Sequence, residues 1–199
     1  MSAGRRIAVM GGTFNPIHTG HAIIARHIAE RDDVDMVWLL VAPQNPLKEI
    51  VAGEHVDDVH RLAMTELVAR RIEGVITSAF EFQLPRPSYT VDTLAALREK
   101  FPDDEFALVI GADNWALWER WKNGDEILAH HRLLVYPRRG YDITVPDRFA
   151  DRVIIVDAPI IEISSTTVRA RLNNGLPVDF LIPDDVNEYI QRNKLYINL

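Results

Sequence analysis

The chain has 199 residues, 47% of them hydrophobic, enough for one substantial core and few for two, so a single domain spanning 1–199 is expected. Lys and Arg number 22 against 29 Asp and Glu, and the formal charge of −7 argues against broad capture of nucleic acid and leaves any phosphate site to a local concentration of donors. Cysteine is absent, which excludes disulfides, thiolate metal sites and thiol nucleophiles.

In chain order, short aliphatic runs alternate with amphipathic stretches, the signature of βαβ units. The first strand is expected at 7–10; its apolar run is too short for a signal peptide. A helix follows over 19–31, with Ile23, Ile24 and Ile28 near one face, then a strand at 35–41. Residues 56–71 read as a helix and 75–79 as a strand. A helix over 90–100 is expected to be capped by Thr90 and to carry Asp92 in its first turn. After a buried strand at 106–110, the Trp-rich stretch to Leu128 reads as helical. Strands at 132–136 and 153–156 and helices at 166–173 and 184–192 complete the pattern, with 137–151 giving the weakest signal. The expected fold is α/β: a Rossmann-like, doubly wound, mostly parallel sheet with helices on both faces. No run is long enough for a membrane helix, and a cytoplasmic protein is expected. Self-association into a homo-oligomer is compatible with the sequence and not specified by it.

Chemistry concentrates in loops that follow strands, at the end of a parallel sheet where ligands bind. The strongest is Gly11-Gly12-Thr13-Phe14-Asn15-Pro16-Ile17-His18-Thr19-Gly20-His21, between a strand and a helix. Glycines permit a sharp turn and close backbone approach, and a helix start offers unpaired N–H groups to an anion. His18 and His21 share a helix face and can donate to phosphate oxygens, which would in turn favour charged imidazoles. A zincin would need His-Glu-x-x-His, which is missing.

This turn resembles the nucleotidylyltransferase superfamily signature, a Gly-rich turn followed by His-x-Gly-His. The superfamily's second signature is matched by Ile163-Ser164-Ser165-Thr166-Thr167-Val168-Arg169, which alone would read only as a helix cap. Hydroxyls and N–H groups at a helix start, with a guanidinium one turn inside, form a second anion device. Within the superfamily the chain is most similar to the bacterial nicotinate-nucleotide adenylyltransferases, almost end to end. Pro43-Gln44-Asn45-Pro46-Leu47-Lys48 looks like their proline-rich loop ending in a basic residue, and Arg61 falls where they place an arginine. Pro87-Ser88-Tyr89-Thr90-Val91-Asp92-Thr93-Leu94 resembles their pyridine-nucleotide stretch. Ile110-Gly111-Ala112-Asp113 with Trp121 resembles their acidic ribose contact and aromatic platform, and Arg138 their arginine near adenine. Two positions depart: Asn15 stands where Asp is common, and Leu47 where His is frequent. The ending Leu195-Tyr196 is also familiar, with no chemistry attached.

The resemblance implies adenylyl transfer from ATP to nicotinate mononucleotide. It assigns His18, His21, Lys48 and Arg169 to catalysis. ATP would be held by Gly12, Thr13, Phe14, Asn15, His18, His21, Arg138, Ile163, Ser164, Ser165, Thr166 and Arg169. The mononucleotide would meet Lys48, Ser88, Tyr89, Thr90, Asp113 and Trp121. Mg²⁺ would accompany ATP, since it prefers phosphate oxygens and water to a protein cage, and no protein metal site is expected. Alternatives are another acceptor, such as nicotinamide mononucleotide or phosphopantetheine, a tRNA-charging core, and a nucleotide-sensing module. A tRNA-charging core would need a separate RNA-recognition region, for which 199 residues and the acidic balance leave little room, and the Gly-x-Gly-x-x-Gly of dinucleotide binders is missing.

Overall fold

The computed structural model describes residues 4–43 and 56–197. Six strands, β1 (Arg6–Gly12), β2 (Met36–Val41), β3 (Val75–Ser78), β4 (Glu105–Gly111), β5 (Arg132–Tyr136) and β6 (Val153–Ile155), form one sheet in the order β3-β2-β1-β4-β5-β6. Every pairing is parallel, so the expected mostly parallel sheet is wholly parallel among the described strands.

Helices cover both faces, which explains why strands such as Met-Val-Trp-Leu-Leu-Val are apolar throughout rather than alternating. The two-residue repeat of β1, β2 and β4 deals their side chains to two cores. Ala8, Met10, Val37, Leu39 and Val109 face one; Ile7, Val9, Trp38, Leu40 and Leu108 face the other. On the first face lie α1 (Thr19–Ala29), α2 (Asp58–Ala69), α6 (Ser165–Asn173) and α7 (Asp184–Asn193). On the second lie α3 (Thr90–Lys100), α4 (Ala112–Trp115) and α5 (Gly124–His130). Each fully buried Ile or Leu, such as Ile28 or Leu97, stabilises by roughly 1.5–3 kcal/mol.

The chain winds outward from β1 through β2 to β3, then returns to place β4 on the other side of β1. Connections after β1 and β4 therefore leave in opposite directions, and a crevice opens at the carboxyl ends of these two neighbours. No helix among the described residues is long and apolar enough to cross a membrane.

Two expectations need correction. Tyr89, not Thr90, occupies the cap position of α3 and makes no side-chain capping bond, while Thr90 is already helical. The Trp-rich stretch is not one helix. It breaks into α4, a 3₁₀ turn at Trp118–Arg120 and α5, with Asn123 left-handed between the last two. Tryptophans at 115, 118 and 121 repeat every three residues, which suits three residues per turn and brings the rings together: Trp115 is tilted against Trp118 at 5.6 Å and Trp118 stacks on Trp121 at 5.2 Å.

Candidate active site

At the end of β1 the chain turns through Gly12 to Phe14, whose φ is +45° and whose ring is buried beneath the turn. A Cβ on Gly12 would lie 2.9 Å from that ring, so the glycine is required by the phenylalanine it covers. His18 then starts α1 as its N-cap. Its Nδ1 accepts from the main-chain N–H of His21 at 3.3 Å, while Nδ1 of His21 accepts from the N–H of His18 at 3.2 Å. The two imidazoles thus form a reciprocal capping box, a task usually given to Ser or Thr with Glu or Gln. Their rings stack at 3.7 Å, and Gly20 lies so close that a Cβ there would be 3.0 Å from Nδ1 of His18 and 3.1 Å from Ile161.

This arrangement fixes the tautomer. An Nδ1 that accepts from an amide carries no proton, so each neutral ring bears its proton on Nε2 and keeps one outward donor. His18 is only 4% exposed. Burial, with the charge of Arg138 behind it, pushes its pKa down to about 3. In the unliganded protein His18 is therefore a neutral donor at physiological pH, not the charged imidazole that a phosphate-rich setting would suggest.

The second signature meets this turn from the far end of the chain. Ser164 caps α6 by accepting from the N–H of Thr167 at 3.1 Å. Ser165 Oγ donates to the carbonyl of Pro16 at 2.9 Å, and Arg169 Nη1 donates to the carbonyl of Asn15 at 2.9 Å. Arg138, just beyond β5, donates to the carbonyl of Ile161 at 3.2 Å. Beside the histidine turn lies a cleft lined by Met10, His18, His21, Ile24, Arg138 and Ile161, among others. Its apolar walls suit a flat ring, and its imidazole and guanidinium groups suit an anion beside it. Ile163 is half-buried against the first core, and Thr166 is exposed.

Asp113 follows β4. A Cβ on Gly111 would lie 2.3 Å from its Oδ1, and Oδ1 stands 3.6 Å from Nε of Arg138, beyond hydrogen-bond distance. The remaining acceptor-side candidates form another group. Ser88 is buried and its Oγ donates to Glu81 at 3.1 Å, while Thr93 Oγ1 donates to the other oxygen of Glu81 at 3.0 Å. Burial raises the pKa of Glu81, with the two hydroxyl bonds opposing. Tyr89 lies at the surface with Lys122 over its ring at 4.3 Å, and Lys122 pairs with Asp92 at 2.9 Å. Trp121 is half-buried, stacked on Trp118. Lys48 and Leu47 lie outside the described residues.

Three residues gain roles that sequence reasoning had not given them. Arg61 is fully buried and donates to the carbonyls of Thr13 at 2.5 Å, Ala42 at 2.7 Å and Pro43 at 3.4 Å, and to Asp58. It ties the loop after β1 to the loop after β2. Asp58 also accepts from Arg86 at 3.1 Å, beside the Ser88 stretch. An arginine in phase with the apolar Met64 and Val68 of α2 was the available signal, because a buried guanidinium demands partners. Glu81 gathers the acceptor stretch, and Tyr196 reaches Asn15; neither carries a local sequence signal.

A parallel sheet in this order, with a His-x-Gly-His helix start and a Ser-Ser-Thr-x-x-Arg turn joined at its crevice, defines the nucleotidyltransferase class of α/β proteins. Residues 9–171 match the cytidylyltransferase-like family model. A probable nicotinate-nucleotide adenylyltransferase of Flavobacterium psychrophilum is 43% identical, covering 96% of this chain and 98% of its own. One of Bacillus licheniformis is 34% identical with the same coverage. The chain belongs to the cytidylyltransferase-like family and, within it, to the nicotinate-nucleotide adenylyltransferases. The fold also superposes on Plasmodium falciparum nicotinic acid mononucleotide adenylyltransferase complexed with NaAD, with a TM-score of 0.80 at 18% identity over 96% of this chain and 97% of that one.

Proposed function

We propose that this protein transfers the adenylyl group of ATP to nicotinate mononucleotide, giving nicotinate adenine dinucleotide and pyrophosphate for NAD synthesis. The observation that carries the reading is the junction of the two anion devices. The reciprocal histidine cap and the Ser165–Arg169 turn are joined through the carbonyls of Asn15 and Pro16, which supports a single ligand that meets donors from both.

The mononucleotide phosphate, with a second pKa near 6, is already largely ionised at neutral pH. No general base is needed. The attacking oxygen forms a bond to the α-phosphorus of ATP as the bond to the β-bridging oxygen breaks and pyrophosphate departs. His18 donates to the α-phosphate through Nε2–H. His21, Lys48 and Arg169 stabilise charge on the β and γ oxygens, with Ser164, Ser165 and Thr166 at the triphosphate end. Gly12, Thr13 and Phe14 offer main-chain donors, and Ile163 and Arg138 flank the adenine. In this reading Asp113 accepts from a ribose hydroxyl, Trp121 stacks on the pyridine ring, and the Ser88-Tyr89-Thr90 stretch holds the mononucleotide. Acceleration then comes from positioning two anions in line and spreading charge over preorganised donors.

Mg²⁺ belongs to the substrate as MgATP, where it neutralises phosphate charge through phosphate oxygens and water. The site fits that division of labour: its groups are chiefly N–H and O–H donors, and its nearby carboxylate, Asp113, faces Arg138. The reading treats the chain as one catalytic unit working in the cytoplasm on soluble nucleotides.

Pyrophosphate release from MgATP should require nicotinate mononucleotide. Release without it, or none with it, would overturn the reaction. A higher kcat/KM for nicotinamide mononucleotide would overturn the choice of acid over amide.

A further inference from the structure

The chain ends in a feature that the reaction does not use. After Asn193, Lys194 adopts a left-handed conformation that terminates α7, and Leu195 N–H returns to the carbonyl of Ile190 at 3.0 Å. This turn sends Tyr196, itself at φ +60°, beneath the loop after β1. Its side chain is 2% exposed, and its hydroxyl donates to Oδ1 of Asn15 at 2.7 Å. Asn15 is 7% exposed. The carbonyl of the same residue receives Arg169, and that of the next residue receives Ser165.

We infer that Tyr196 is a positioning residue of the triphosphate site: by holding the Asn15 side chain it fixes the main chain from which Arg169 and Ser165 take their aim. The inference rests on the proposed adenylyl transfer. Two side chains of α6 depend on where two successive carbonyls stand, and those carbonyls belong to a buried loop whose amide group is gripped from below. Without the phenolic O–H, a buried acceptor loses a strong partner, and Asn15 must turn toward another. The carbonyls beside it then shift relative to α6. A guanidinium displaced by a fraction of an ångström loses much of its bond to a phosphate oxygen. Asn15 thereby works as an acceptor for the tail rather than as an anion at the ligand.

The test is a double-mutant cycle on the intact chain with Tyr196→Phe, Asn15→Ala and the pair, read by kcat, both KM values and MgATP affinity by calorimetry, well below the melting temperature. Tyr196→Phe keeps the buried ring. It should lower kcat/KM for ATP about tenfold while the KM for nicotinate mononucleotide stays within about twofold, and the double variant should be no worse than Asn15→Ala alone. Wild-type ATP kinetics in Tyr196→Phe, even with a lowered melting temperature, would overturn the inference. So would losses that multiply in the double variant. If Tyr196→Phe does not fold, Asn15→Ala carries the same reading: a loss of about tenfold in kcat/KM confined to ATP supports it, and unchanged kinetics overturn it. Should the wild type bind MgATP yet release no pyrophosphate, that result counts against the reaction alone, and the calorimetric affinities still decide the role of Tyr196.

Discussion

The two halves of the crevice are built on different principles. On the ATP side, side chains from residues 61, 165 and 169 grip main-chain carbonyls of residues 13, 15, 16, 42 and 43, and helix capping itself orients the imidazoles. On the acceptor side, position is set by ring stacking, by two hydroxyls on Glu81 and by surface contacts such as Lys122 over Tyr89. Under the proposed reaction the difference suits the ligands: a triphosphate needs donors held fixed for the transition state, whereas a mononucleotide must enter, be recognised and leave as part of a larger product.

The contrast can be broken most severely at Arg61. Arg61→Leu removes a buried charge and orphans three carbonyls and Asp58, so denaturant unfolding should show a loss of about 3–5 kcal/mol. A loss below about 1 kcal/mol would mean the loops hold without it. Next comes His18→Ala, expected to lower kcat by about 10²–10³, with a further cap cost of about 1 kcal/mol in stability. The pH dependence sharpens this case. The folded pKa of His18 is depressed to about 3 from an unfolded value near 6.5, so the unfolded state takes up the proton first as pH falls. Its contribution to stability is therefore full above about pH 6.5 and is lost progressively toward about pH 3. NMR should show no His18 titration between about pH 8 and 5; a midpoint near the ordinary value would refute the neutral donor.

Smaller effects belong to the acceptor half. Trp121→Ala should raise the KM for nicotinate mononucleotide about tenfold through lost stacking, with little change for ATP, and equal changes in both would relocate the platform. Smallest is Glu81→Gln, expected to alter stability by about 1 kcal/mol or less. Because burial raises the folded pKa of Glu81, the wild type holds its proton more tightly when folded and loses stability as pH rises through that window. The melting temperature of the variant relative to wild type should therefore increase from pH 5 to pH 8. A constant difference would show that the carboxyl is not perturbed.

Much of the architecture around the histidine turn was legible because its signals are local. A strand, a glycine turn and a helix start lie within residues 6–21, and a capped helix start stands at 164–169. The parallel sheet was legible from the alternation of strands and helices, whereas its strand order came only from the structure. What joins these pieces was not legible: the bond from Tyr196 to Asn15 spans 181 residues, and the carbonyl targets of Arg61 have no side-chain identity to read. The tryptophans misled because a three-residue spacing fits a single α-helix nearly as well as the tighter turns they adopt. Thr90 misled because capping residues are also common one position inside a helix.

The paired histidines tie folding and chemistry to the same atoms. A serine or aspartate at 18 has the right kind of acceptor to terminate α1, yet it would present no N–H toward a phosphate. Replacements that suit the architecture can thus empty the site of its function. Selection for robustness and selection for turnover would pull on this position in opposite directions.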